Sequence, residues 1–125
     1  MQIKRISAIG LLASSMFGGV VFAADCPIKL GAVLPVSGPM GQVGDRIATT
    51  GGFAVEQFNA AGGVKGCDVE YVLRDTQGQS TVGVDAAKSL VDLDGVQALI
   101  GAVSSGVSLP ILTSVAVPSL SLIHI

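Results

Sequence analysis

Three short apolar segments alternate with longer segments whose apolar residues recur at helical spacing, and this alternation most constrains the fold. The apolar segments have strand length and predict buried β-strands over Ile28–Pro35, Asp68–Asp75 and Val96–Gly101. The other segments predict helices over Asp45–Ala61, Thr81–Leu93 and Val107–Ala116, and Val117-Pro118 then predicts the approach to a fourth strand. Such alternation implies right-handed crossovers, so we expect an α/β fold with a parallel, doubly wound sheet covered by helices on both faces.

Ligands of such sheets bind beyond the carboxyl ends of the strands. In this chain those ends lead into Val36–Gly44, Asp75–Ser80 and Gly101–Gly106. The first of these segments, VSGPMGQVG, predicts a glycine-rich loop. Its glycines are spaced GxxGxxG rather than GxGxxG, and Pro39 lacks the N–H that a phosphate cradle would use. The spacing therefore argues against a nucleotide-binding loop.

The third segment carries two serines and a glycine before a predicted helix. Ser104, Ser105 and Gly106 combine hydroxyls with free backbone N–H groups at a helix start, which suits a carboxylate. Serine before a helix also serves as an N-cap without binding any ligand. From the residues alone, both interpretations stand.

Catalytic groupings are hard to assemble from this chain. The only histidine is His124, at the end of the sequence, so no Ser/His/Asp or Cys/His grouping is expected within a folded core. Asp75 has no partner acid close in sequence and is expected to bond loop amides at a strand end. We predict no enzymatic activity, no cofactor and no metal.

The N-terminus has the residue pattern of an export signal. Lys4 and Arg5 precede an apolar stretch, and small residues end it at a cleavage site after Ala23, so residues 1–23 are predicted to be a signal peptide. The alternatives are a membrane anchor, which the glycines and serines weaken, and a lipoprotein, which Asp25 before Cys26 disfavours. We expect a periplasmic protein without stable membrane insertion. After cleavage, five basic and nine acidic residues remain, which offers no basic surface for nucleic acid.

The two cysteines of this exported chain favour a disulfide. Cys26 and Cys67 each precede a predicted strand, so neighbouring parallel strands would bring both to one edge of the sheet. Two lone cysteines without a nearby histidine do not suit a tetrahedral zinc site. Two unpaired structural thiols are the alternative.

The same segments also carry a family resemblance. IKLGAVLPVSGPMGQVGDR, AVEQFNAAGGVKG and LIGAVSSGVSLPIL resemble the first lobe of periplasmic solute-binding proteins of ABC transporters, in the leucine/isoleucine/valine-binding group. The resemblance implies two α/β lobes joined by a hinge that close on a small ligand, an amino acid or related solute, for delivery to a membrane permease. Residues 24–119 would form the N-terminal part of the first lobe. A ligand-sensing ectodomain of the same fold and a secreted nucleotide- or flavin-dependent enzyme are the alternatives.

The resemblance also implies a set of ligand-binding residues. Ser105 matches the serine that holds an amino-acid carboxylate, with Ser104 and Gly106 beside it. The segment from Ser37 and Gly38 to Gly44 matches the loop that lines the cleft. Val43 departs from the family, because relatives often carry an aromatic residue there.

The last six residues, LSLIHI, form a separate feature. They match one translation of the transposase mosaic-end adapter of sequencing libraries, so we expect Leu120–Ile125 to be an adapter-encoded, non-native tail. A natural apolar strand end is the alternative.

Overall fold

The computed structural model describes residues 26–119. The predicted signal peptide, residues 1–23, and the predicted adapter-encoded tail, residues 120–125, lie outside the described residues.

Strands and helices alternate along the described chain in the predicted order. The strands are β1 (Ile28–Leu34), β2 (Val69–Asp75) and β3 (Ala98–Gly101). The helices are α1 (Gly41–Ala60), α2 (Ser80–Asp92), α3 (Ser105–Ile111) and α4 (Val117–Ser119). A 3₁₀ turn over Gly38–Met40 leads into α1, and a π-helical stretch over Leu112–Ala116 joins α3 to α4. No helix within residues 26–119 is long and apolar enough to cross a membrane.

The three strands form one parallel sheet in the order β2-β1-β3, which confirms the predicted fold class. The register places Leu34 of β1 beside Asp75 of β2, and Val33 of β1 beside Gly101 of β3. All three carboxyl ends therefore meet at one edge, with the end of β1 in the centre.

Helices cover the two faces of the sheet with separate apolar clusters. On one face α2 and α3 pack over β1 through buried residues that include Val33, Leu90 and Val107. On the other face α1 contributes Ala48 to a smaller cluster with Ala32 and Leu34. Complete burial of a side chain as large as leucine contributes about 1.5–3 kcal/mol, so these clusters hold the strand ends in place.

Two boundaries differ from the prediction. The first helix begins at Gly41 rather than Asp45, so much of the predicted glycine loop is helical. Glycine is required within this helix, because a Cβ at Gly44 would overlap the carbonyl oxygen of Pro35. The prediction of an approach to a fourth strand at Val117-Pro118 was wrong: these residues continue the helical path as α4, since Val115 and Ala116 just before them are buried on its inner side.

Asn59 at the end of α1 explains why the NAAGGVKG segment folds as it does. Its side-chain amide donates to the Val69 carbonyl at 2.9 Å, and its side-chain oxygen accepts from the Val69 N–H at 2.8 Å. The two bonds satisfy backbone groups at the start of β2, at the side of the sheet that no strand covers among the described residues. Asn59 therefore fixes the end of the first helix to the start of the second strand through these two hydrogen bonds.

Cys26 and Cys67 form a disulfide in this structure, with Cα atoms 5.4 Å apart. The register pairs Ile28 with Val69, so each cysteine precedes its strand by the same two residues. Strand register thus places the two thiols together at the amino edge of the sheet, opposite the edge at which ligands of such folds bind.

Candidate functional site

Ser37 and Asp75 join the segments that follow β1 and β2. The Ser37 hydroxyl donates to Asp75 Oδ2 at 2.5 Å, and the Ser37 N–H donates to Asp75 Oδ1 at 3.3 Å. The Gln77 N–H donates to the same Oδ1 at 2.8 Å. Asp75 therefore bonds loop amides, as predicted, and also binds a hydroxyl that the sequence did not assign to it.

These bonds determine the charge state of Asp75. Desolvation by partial burial raises the pKa of the Asp75 carboxyl. Hydrogen bonds from the Ser37 hydroxyl and from the backbone N–H groups of Gln77 and Ser37 outweigh that effect and lower the pKa below its ordinary value. Asp75 is thus ionised at neutral pH.

Gly38 lies against the turn that follows Asp75. Its φ of +73° is a conformation that favours glycine, and a Cβ there would lie 3.0 Å from the Gln77 carbonyl oxygen. The segment after β1 can therefore approach the segment after β2 closely only with glycine at this position.

The predicted carboxylate seat lies at the start of α3. Ser104 is the N-cap residue by backbone geometry, but its hydroxyl makes no capping hydrogen bond. Its carbonyl accepts the N–H groups of Val107 and Ser108 at 3.0 and 2.9 Å. Ser105 is the first residue of the helix and is exposed, as is Gly106. No partner for the Ser105 hydroxyl, or for the N–H groups of Ser105 and Gly106, occurs among residues 26–119.

A proline within α3 explains how this helix start is held. Pro110 lacks the N–H that would bond the carbonyl four residues earlier, which belongs to Gly106. The Ser80 hydroxyl at the start of α2 donates to that carbonyl instead, at 2.7 Å. The sequence did not identify Ser80 as a functional residue, although Pro110 inside a predicted helix is the signal that could have found it.

An open cavity of about 370 Å³ lies between β3 and α3. Ser105 and Ser108 contribute to its lining, which is otherwise mainly apolar and includes Val33, Leu99 and Leu112. The Ser108 hydroxyl already donates a hydrogen bond to the Ala102 carbonyl, at 2.6 Å. Such a lining suits packing by another apolar element better than it suits a charged ligand.

The structure brings most of the sequence-predicted residues together at the carboxyl edge. Ser37 and Gly38 contact the segment after β2, and that segment contacts Gly106 through Ser80. Val43 stands apart on the first turn of α1, 48 % exposed, and none of these hydrogen bonds involves it. Within residues 26–119, no group of three or more His, Cys, Asp or Glu side chains could hold a metal ion.

Comparison with known proteins relates the chain to a family. The sequence profile described as periplasmic binding protein matches residues 27–122. The chain is 33% identical over 111 residues to Leu/Ile/Val-binding protein homolog 3 of Brucella melitensis, covering 89% of this chain and 29% of that protein. It is 36% identical over 108 residues to the leucine-, isoleucine-, valine-, threonine- and alanine-binding protein of Pseudomonas aeruginosa, covering 86% of this chain and 28% of that protein. The chain thus spans less than a third of the length of these curated relatives.

Solved structures agree with this assignment. The branched-chain amino acid transporter substrate-binding protein LivJ of Streptococcus pneumoniae, in complex with isoleucine, superposes with a TM-score of 0.69 at 25% identity. That match covers 78% of this chain and 30% of LivJ. The leucine-binding protein LivK of Thermotoga maritima superposes with a TM-score of 0.61 at 32% identity, covering 70% of this chain and 24% of LivK. Since the family profile covers most of the sequence, the chain belongs to the periplasmic binding protein family.

Proposed function

We propose that the intact protein is the substrate-binding component of an ABC transporter, and that it captures an amino acid in the periplasm for delivery to a membrane permease. Membership of the periplasmic binding protein family supports this role, as do relatives named for leucine, isoleucine and valine binding. Residues 24–119 form the N-terminal part of the first of two lobes, and export follows from the signal peptide. The protein binds its solute and does not transform it.

One observation carries the proposal: the unpaired donors at the start of α3. The Ser105 hydroxyl and the N–H groups of Ser105 and Gly106 have no acceptor among the described residues, and both residues are exposed at the carboxyl edge of the sheet. A carboxylate can accept all three, and charge-assisted hydrogen bonds of this kind are the stronger ones. The Ser104 hydroxyl makes no capping bond, so capping does not account for the two serines.

The apolar cavity beside β3 supports the partial nature of the chain. β3 lies at one side of the sheet, and no strand of residues 26–119 pairs with its outer edge. We expect an apolar element of the intact protein to pack against the part of this space lined by Leu99 and Leu112. Ligand closure also needs the second lobe, so binding belongs to the intact protein.

The test is a thermal-shift screen of the full-length protein against the standard amino acids, followed by calorimetric titration of each hit. Ser105→Ala is expected to weaken binding of the best ligand by about 10- to 100-fold, since a hydrogen bond to a charged group contributes about 1.5–3 kcal/mol. Ser114→Ala is the matched control, because Ser114 is an exposed serine in the helical stretch after α3. The absence of any stabilising amino acid, or equal affinities of the two variants, would contradict the proposal.

A further inference from the structure

We propose that Asp75 and Ser37 form one wall of the ligand-binding cleft and make it selective. This wall accepts ligand groups that donate hydrogen bonds and rejects carboxylates. This inference rests on the proposed function and adds to it the chemical class of the ligand. Ligands that turn an amide, hydroxyl or ammonium group toward this wall are accepted, and acidic amino acids that turn a side-chain carboxylate toward it are not.

The first step is the polarity of the Ser37 hydroxyl. A serine hydroxyl has one proton to donate and two lone pairs to offer. The proton of Ser37 is directed at Asp75 Oδ2, 2.5 Å away. The exposed Ser37 oxygen therefore presents only lone pairs to the solvent side, and a ligand atom that forms a hydrogen bond with it must itself be a donor.

The second step is the charge behind that hydroxyl. Asp75 accepts hydrogen bonds from the Ser37 and Gln77 N–H groups, which stabilise its ionised form. Arg74, its neighbour in the chain, pairs instead with Asp94 at 2.7 Å. No cationic side chain within residues 26–119 lies within ion-pair distance of Asp75. The wall is therefore anionic and repels a second carboxylate.

The third step is the position of this wall relative to the proposed carboxylate seat. β1 pairs directly with β3, and neighbouring strands lie about 4.8 Å apart. Ser37 follows the end of β1 and Ser105 follows the end of β3, so the two belong to adjacent segments at one edge. Ser37 therefore lies on the segment next to the proposed carboxylate seat, where the other groups of a ligand held at Ser105 could meet it.

The experiment compares amino acids that differ only in an amide or an acid. Binding of glutamine against glutamate, and of asparagine against aspartate, is measured by calorimetry on the full-length protein. Wild type is expected to prefer the amide of a pair by about tenfold or more, because placing a second carboxylate beside the ionised Asp75 is unfavourable. Asp75→Asn removes the charge and keeps an oxygen acceptor for the Ser37 and Gln77 N–H groups, and its new NH₂ group releases the Ser37 proton. This variant is expected to reduce the amide-to-acid ratio about tenfold.

Ser37→Ala is the matched control, since it removes the hydroxyl and leaves the Asp75 charge. It is expected to weaken the amide ligand about threefold and to lower the amide-to-acid ratio by no more than that, which is less than the effect of Asp75→Asn. If Asp75→Asn weakens amide and acid equally, Asp75 has a structural role only and the inference is overturned. A wild type that binds an acid as tightly as its amide, or binds other amino acids but neither member of both pairs, overturns it as well. Binding of no amino acid at all overturns the proposed function, which is a separate outcome.

Discussion

The Ser80 hydroxyl donates a 2.7 Å hydrogen bond to the Gly106 carbonyl, which Pro110 leaves without its helical donor. This single bond ties the start of α2 to the start of α3, directly beside Ser105. The proposed carboxylate seat is therefore held by a residue from a different helix, which follows a different strand.

Ser80→Ala tests that link. Removing the hydroxyl takes away the donor that stands in for the missing Pro110 N–H, and we expect the free energy of unfolding of the full-length protein to fall by about 1 kcal/mol. Urea unfolding measures the change. Thr81→Ala is the control, because Thr81 is exposed and its hydroxyl makes no hydrogen bond within the described residues. Equal losses in the two variants would show that the Ser80 bond contributes nothing specific.

Gly44→Ala tests the close approach of α1 to the end of β1. A Cβ at Gly44 would overlap the Pro35 carbonyl oxygen, so the helix must shift, and we expect a loss of about 1–3 kcal/mol of unfolding free energy. Gly52→Ala in the same helix is the opposite case, since no atom lies within 4 Å of its Cβ position. That substitution is expected to stabilise by about 0.5–1 kcal/mol through helix propensity. If both substitutions changed the unfolding free energy in the same direction, the close contact between Gly44 and Pro35 would be contradicted.

Replacing both cysteines tests the disulfide. The bridge between Cys26 and Cys67 spans a sequence separation of 41 residues. Constraint of the unfolded chain by such a loop predicts a loss of about 2–4 kcal/mol in the Cys26→Ala/Cys67→Ala variant. Urea unfolding with and without a reductant measures it. Reductant is expected to lower the unfolding free energy of wild type and to leave that of the double variant unchanged. Equal unfolding free energies of the two proteins without reductant would show that no bridge forms.

The Asp75 carboxyl predicts a dependence of stability on pH. Its hydrogen bonds lower its pKa in the folded protein, so its contribution is complete above the unfolded-state pKa and is lost as the pH falls through the folded-state pKa. Asp75→Asn is therefore expected to be less stable than wild type at pH 7, with the difference shrinking toward pH 3. Thermal unfolding across this range measures it. A difference that stays constant with pH would show that ionisation of Asp75 does not contribute.

Sequence patterning by itself determined the order of elements and the class of fold. Apolar runs of strand length that alternate with helical segments are typical of a sheet buried between helical layers. The helical periodicity of residues such as Ala87 and Leu90 then indicates the face of α2 that packs on the sheet. The pairing of Cys26 with Cys67 follows from the same logic, because parallel strands with equal offsets bring their preceding residues together. Each of these results depends on local spacing and burial, which are readable along the chain.

Only the tertiary structure decided which polar groups at the carboxyl edge are already taken. Glycine has a low intrinsic helix propensity, so Gly41 and Gly44 suggested a loop until the contact with Pro35 showed why glycine is required within the helix. The hydroxyls of Ser37 and Ser80 are committed to Asp75 and Gly106, whereas that of Ser105 has no acceptor among the described residues. Hydrogen-bond partners from distant segments are fixed by strand order and register, and no local pattern encodes them.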